Sequence, residues 1–313
     1  MKKKKQSKLG IALQLKGSVV SSIYKQVLCL GLFGFFMSVL YYFKLPVSQP
    51  ILGTIIPSIV LGLLLVFRTN TAYERFWEGR KLWGSLVNDT RNMAWQIAVM
   101  IEENEPGDRN QKIEAIRLLP IFLVACKLHL RSVAVGEALE AMVTHEQFLI
   151  LKESRNPPLQ IATWIGDYIQ TQYRRGDNFL HFNHVPFLQG NVKGIIDSLG
   201  GCERILRTPL PLAYVIHLRQ LVLIYCLLLP FPLVKDLGWG TGFFVALISF
   251  TLLGIEEIGI EIENPFGYDI NDLPLNTICN NMSNEIEEYI ELNLPSPIND
   301  QLAELDGSQY KST

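Results

Sequence analysis

The chain has 313 residues, 49% hydrophobic and 19% charged, with a formal net charge of -2 and a mean hydropathy of +0.21. It is too apolar for an average soluble protein and too charged for one buried wholly in lipid, so apolar and aqueous parts must be segregated along it. Near-neutral charge excludes nucleic acid or another polyelectrolyte as the main partner.

In chain order, a basic N-terminus, residues 1–25, carries Lys2, Lys3, Lys4, Lys5, Lys8, Lys16 and Lys25. Four runs then approach the roughly 20 apolar residues that span a hydrocarbon core. They are Gln26 to Phe43, Ile51 to Phe67, Leu212 to Val234 and Leu237 to Ile255. They form two hairpins, residues 26–67 and 212–255, that flank a large insertion, residues 68–211. Arg68, Arg75, Arg80 and Lys81 follow the second run, and each short loop holds a single Lys. That bias places both termini and the insertion on the cytoplasmic or stromal side. A long basic region before the first run, with no small-residue cleavage site after it, argues against a cleaved signal peptide. Arg219, near the start of the third run, suits the lipid headgroups better than a buried functional pair.

The second run passes without proline or turn into Arg68-Thr69-Asn70-Thr71-Ala72-Tyr73-Glu74-Arg75-Phe76-Trp77. Apolar positions recur at Tyr73, Phe76, Trp77, Leu82, Trp83, Leu86 and Val87, near helical spacing. One helix is therefore predicted to run from lipid into water, to about Ile101. Within it Ile59, Leu63 and Phe67 lie four apart on one face. Turned inward in a symmetric oligomer, each would form an apolar ring of the kind that gates by dewetting. The same residues suit lipid or neighbouring helices, and periodicity does not choose between these, because the whole run is apolar.

The insertion reads as all helical. A turn spans Glu102 to Asn110, and helices are predicted over Ile113 to Leu130, Gly136 to Lys152, Ile161 to Tyr173 and Val192 to Leu206, with Asn156-Pro157-Pro158 as a stop. In residues 256–292, a helix continues through Glu263, Asn264-Pro265-Phe266-Gly267 breaks it, and a polar helix follows from Leu275 to Leu292. Residues 293–313 have the composition of a disordered tail.

No phosphate loop, zinc-protease, nucleophile-elbow or paired-cysteine signature occurs, which points away from an enzyme. Five scattered cysteines outline neither a disulfide nor a zinc framework. Gly238, Gly240 and Gly242 read as small residues for close helix packing. His181 and His184 could share a metal on one turn, but Asn183 and Pro186 favour a loop there. Oxygens cluster around Glu261, Asn264, Asp269 and Asp272, as a hard cation requires. Capping of the following helix by Asp269 and Asp272 explains the same pattern more simply.

Three blocks then stand out: Phe67-Arg68-Thr69-Asn70-Thr71-Ala72-Tyr73-Glu74-Arg75-Phe76-Trp77-Glu78-Gly79-Arg80-Lys81-Leu82-Trp83-Gly84; Thr208-Pro209-Leu210-Pro211-Leu212-Ala213-Tyr214; and Ile262-Glu263-Asn264-Pro265-Phe266-Gly267 with Asp269, Asn271 and Asp272-Leu273-Pro274-Leu275. With them the chain resembles the bestrophin family, in its bacterial and plant-organelle branch, over roughly residues 20–290. The resemblance implies an all-α, multi-pass membrane protein with four transmembrane helices per subunit and a large helical cytoplasmic domain. It implies a homopentamer around a central pore, in a bacterial cell membrane or a thylakoid-type membrane. The implied partners are chloride or other small anions, and membrane lipid. Counted back from the first block, the family's apolar neck falls on Ile59, Leu63 and Phe67. A second constriction, the cytoplasmic aperture, falls on Ile205 or Thr208.

Animal members bind calcium around the Asn-Pro-Phe-Gly turn. Glu261, Asn264, Asp269 and Asp272 match ligand-bearing positions, while Tyr268, Ile270 and Asn271 interrupt the acidic run. The resemblance therefore implies weak calcium binding or none, with no required cofactor. Two other readings stay open at this point: a cation-conducting homologue, and a membrane-anchored scaffold without ion flux.

Overall fold

The structure, a computed structural model, describes residue 14 and residues 17–49 and 55–294. Six of the N-terminal lysines (all but Lys25), the first residues of the second apolar run and the predicted disordered tail from residue 295 lie outside the described residues. Among the described residues there is no strand. The helices are α1 (Val20–Tyr42), α2 (Ile55–Met100), α3 (Asp108–Leu130), α4 (Glu137–Glu140), α5 (His145–Glu153), α6 (Pro157–Arg174), α7 (Val185–Arg207), α8 (Leu212–Leu228), α9 (Pro230–Leu237), α10 (Thr241–Glu261) and α11 (Leu275–Asn293). The chain divides into two compact units, Met1–Glu78 with Thr208–Asp272, and Gly79–Arg207 with Leu273–Thr313.

The 46-residue α2 is the continuous helix the sequence predicts. At 1.5 Å per residue it is about 69 Å long, more than twice a hydrocarbon core of about 30 Å. Its one proline, Pro57, sits in the first turn, where a missing N–H costs nothing.

In the first unit, α1, α2, α8 and α10 share one apolar core, built from Ile23, Leu30, Leu61, Leu65, Leu218, Val222, Cys226, Val245 and Leu253. Three helical stretches among the described residues are long and apolar enough to cross a membrane: Val20–Tyr42, Ile56–Met100 and Leu212–Glu261. The last of these is not one helix. The predicted run to Val234 breaks after α8, because Pro230 lacks an N–H and opens α9 instead. Gly238, at φ 49, then turns the chain, so α10 begins at Thr241 and not at Leu237.

Only Gly242 of the three glycines packs as predicted. A Cβ there would lie 2.8 Å from the Gly31 carbonyl oxygen and 2.9 Å from the Phe35 nitrogen. The α1 and α10 backbones therefore touch, and nothing at the contact is a flexible side-chain end. Gly238 serves the turn, its carbonyl accepting from Ser38 Oγ at 2.8 Å and Thr241 Oγ1 at 2.7 Å. Gly242→Ala is expected to destabilise the protein by about 1–3 kcal/mol through forced separation of these helices. Thermal unfolding in detergent checks this, with Gly166→Ala, whose Cβ enters open space, leaving the midpoint unchanged or higher. Equal midpoints for Gly242→Ala and the parent protein would refute the close contact.

The second unit holds the rest of α2 with α3 to α7 and α11. Trp83, Leu86, Ile116, Phe122, Ile165, Ile195 and Ile286 are among its buried apolar residues. Gly201 brings α7 onto α2, since a Cβ would meet Leu82 Cδ1 at 2.8 Å. The predicted helix over Gly136 to Lys152 is split into α4 and α5. Thr144 and Gln147 form a capping box, which satisfies the first N–H groups of α5 and starts that helix afresh. Asp108 Oδ2 accepts from the backbone N–H groups of Asn104 (3.0 Å) and Glu105 (2.8 Å), and its Oδ1 from Arg175 Nη1 (2.8 Å). The Arg175 guanidinium, helped by those N–H groups, holds the Asp108 carboxyl below the usual carboxylate range. Cys126, Cys202 and Cys279 are free and buried. Burial raises the Cys126 thiol well above its ordinary value and the Cys279 thiol to about 11, so both are inert apolar side chains.

Candidate functional site

The first part of α2 has two unlike faces. Leu61 and Leu65 enter the core of the first unit, while Ile59, Leu63 and Phe67 are 56%, 54% and 62% exposed. Three large apolar side chains thus rise in register along one face, each more than half exposed. The hydroxyl of Tyr214 donates to the Leu64 carbonyl at 3.1 Å, which ties α8 to α2 beside Leu63.

One residue past Phe67, Arg68 turns the other way and is 1% exposed. Its side chain passes close to Gly259, where a Cβ would lie 3.3 Å from Nε. Its Nη2 stands 3.7 Å from Glu263 Oε2. Glu263 gathers two further groups: its Oε1 accepts from the Leu210 N–H at 3.0 Å, and its carbonyl accepts from Arg75 Nε at 3.4 Å. Arg75 Nη1 also donates to the Thr208 carbonyl. The Arg-Thr-Asn-Thr block, the Thr-Pro-Leu-Pro block and the Glu-Asn-Pro-Phe-Gly block therefore meet on a single carboxylate. Sequence reading did not single out Glu263. Its place directly before Asn264 in the third block was the only available signal.

The two aperture candidates differ in setting. Ile205 is buried in the second unit, whereas Thr208 is exposed and belongs to the first. Arg219, assigned from sequence to the headgroups, has an acidic neighbour: its Nε lies 3.9 Å from Glu256 Oε1, on a nearly buried carboxylate.

Around the Asn-Pro-Phe-Gly turn the oxygens are used internally. Asn264 Oδ1 accepts from the Phe266 N–H at 3.2 Å, and Asp272 Oδ2 from the Asp269 N–H at 2.7 Å. Gly267 makes room for this, because a Cβ there would lie 2.6 Å from Asp272 Oδ2. The predicted capping of α11 by Asp269 and Asp272 does not occur: Pro274 is the N-cap, with no side-chain cap bond. Asp272 closes the turn instead. Among the described residues no three His, Cys, Asp or Glu side chains gather as metal ligands. Calcium asks for about six to eight oxygens, and two of those here, Asn264 Oδ1 and Asp272 Oδ2, already accept backbone N–H groups. His181 precedes the turn Phe182–His184 and His184 ends it, and His181 Nδ1 accepts from the Asn183 N–H.

Residues 1–288 match the family described as bacterial/fungal bestrophin protein. A voltage-dependent anion channel-forming protein of Nostoc sp. is 57% identical over 282 residues, covering 90% of this chain and 91% of the relative. A protein of the same description from Synechocystis sp. is 48% identical over 282 residues, with the same coverage of both chains. The crystal structure of a bacterial bestrophin homologue from Klebsiella pneumoniae superposes with a TM-score of 0.78 at 28% identity, covering 88% of this chain and 100% of that one.

Proposed function

Because this chain belongs to the bestrophin family, we propose that it is a homopentameric membrane channel that passes anions, chloride foremost, through a neck ringed by Ile59, Leu63 and Phe67. The observation that carries the reading is the outward apolar face of α2, whose opposite face is packed and held by Arg68 and Glu263. A helix so anchored presents its exposed side chains in a constant register, as a constriction requires. In this reading α1, the first part of α2, α8 with α9, and α10 make four crossings, with both termini on the cytoplasmic or stromal side. Thr208 is the aperture residue. Conduction is passive: a partly dehydrated ion passes apolar rings too narrow for its full water shell.

The Nostoc and Synechocystis relatives are described as anion channel-forming proteins, which supports the sign of the ion. Purified protein in liposomes is expected to release chloride down its gradient, read with a chloride electrode, while a sodium gradient persists. Sodium flux without chloride flux would overturn the anion assignment. Absence of both fluxes would overturn the channel and favour a scaffold.

A further inference from the structure

The second unit contains a recess of about 520 Å³ at the C-terminal end of α3, closed by the segment that joins α5 to α6. That volume falls within the roughly 300–1,000 Å³ of small-molecule sites. Part of the lining is apolar, with Leu128 and Val133. The lining also includes Lys152, Arg155, Ser132 and Ser154.

The charges in this recess are unbalanced. Lys152 and Arg155 form no ion pair and no side-chain hydrogen bond among the described residues. Glu203, which binds the lining residue His129, is already engaged: its Oε1 meets His129 Nε2 at 2.7 Å and Asn156 Nδ2 at 3.1 Å, and its Oε2 meets Arg207 Nη2 at 3.7 Å. Two cations therefore face a recess whose lining includes no Asp or Glu. Ser132 adds a second observation. It follows Arg131, the C-cap of α3, and has φ 53, a left-handed conformation that glycine adopts more cheaply. The chain carries a hydroxyl there, in the lining of the recess.

We propose that this recess binds a phosphate monoester whose organic part lies against Leu128 and Val133. A guanidinium fork and an ammonium suit the dianionic head, one by paired donors and the other as a compact charge. The hydroxyls supply neutral donors, and the apolar lining excludes a bare inorganic ion as the best ligand. Such a head is shared by soluble phosphate esters and by phosphatidic acid, and the binding test separates them.

Calorimetric titration of the full-length purified protein with phenyl phosphate is expected to show saturable binding, at least tenfold tighter than inorganic phosphate and absent with phenol. Lys152→Gln with Arg155→Gln should weaken it tenfold or more. Ala134→Trp, which fills the recess from an exposed position, should abolish it without removing a charge. Unchanged thermal midpoints confirm that both variants fold. Displacement of phenyl phosphate by glycerol 3-phosphate assigns a soluble source, and displacement only by dihexanoyl phosphatidic acid assigns a lipid one. Binding that survives either variant, inorganic phosphate binding as tightly as the ester, or no saturable heat would overturn the proposal. Because binding is read directly, its failure leaves the ion-flux result untouched.

Discussion

Phe67→Ala is expected to raise chloride flux per folded channel by about tenfold, and Leu63→Ala to raise it by a smaller factor. In the proposed pentamer each position contributes five side chains to one ring. An ion entering an apolar ring loses water it cannot replace with protein oxygens, and the barrier grows as the ring narrows. Truncating Phe67 removes an aromatic ring from each of five directions and lets more of the shell remain. A barrier lowered by about 1.4 kcal/mol gives the tenfold change. Selectivity among anions should relax together with conductance, since large and small ions differ most where dehydration is most costly.

Leu65→Ala separates this effect from simple damage. Leu65 is two residues away on the same helix, yet it is buried in the core of the first unit. Its truncation should cost about 2–5 kcal/mol of stability and leave the flux of the folded fraction unchanged. Electrode recordings on proteoliposomes of equal protein content, with folded protein counted by size-exclusion chromatography, measure both. Unaltered conductance and selectivity in Phe67→Ala and Leu63→Ala would place the barrier elsewhere in the protein.

The second large effect concerns Glu263→Ala. Arg68 is almost wholly buried, its Nε and Nη1 make no hydrogen bond, and Glu263 is its only ion-pair partner among the described residues. Deleting the carboxylate breaks the ion pair of a buried guanidinium and leaves Glu256 as its remaining charged neighbour; loss of a buried pair typically costs about 3–5 kcal/mol. It also removes the acceptor of the Leu210 N–H, which holds the Thr-Pro-Leu-Pro segment. A large fall in the thermal midpoint in detergent is therefore expected. Pairing it with Arg68→Met should recover much of the loss, because the buried charge is gone. If the double variant is as unstable as the sum of the two single ones, the pair is not coupled and the bracket around Glu263 is wrongly described.

How much of this was legible in the residues depended on the range of the forces involved. The continuity of α2 follows from local chemistry, namely a long stretch without proline after Pro57 and a helical period that persists from apolar into charged sequence. The same reasoning located the Asn-Pro-Phe-Gly break and the helical nature of residues 79–207. It failed where one residue had two admissible uses. Pro230 was absorbed into an apolar run because hydropathy is blind to a missing N–H, and the capping box at Thr144 was hidden inside an amphipathic pattern. Gly238 and Gly242 look alike in sequence, yet one turns the chain and the other lets two backbones touch.

Asp272 was equally ambiguous. An aspartate shortly before a helix is a good cap, and only the path of the turn brings the Asp269 N–H to its carboxylate first. Glu263 lay beyond reach for a different reason, since Arg75 stands 188 residues away in the chain.

By itself the sequence determined the helical class, the apolar runs, the membership in a family and the spacing that puts Ile59, Leu63 and Phe67 on one face, because each depends on periodicity or composition within a few turns. Which face of α2 points outward was decided only by tertiary structure. A uniformly apolar helix has no preferred side until Leu61, Leu65 and Arg68 find their neighbours on α1, α8 and α10, and those contacts leave the remaining face exposed.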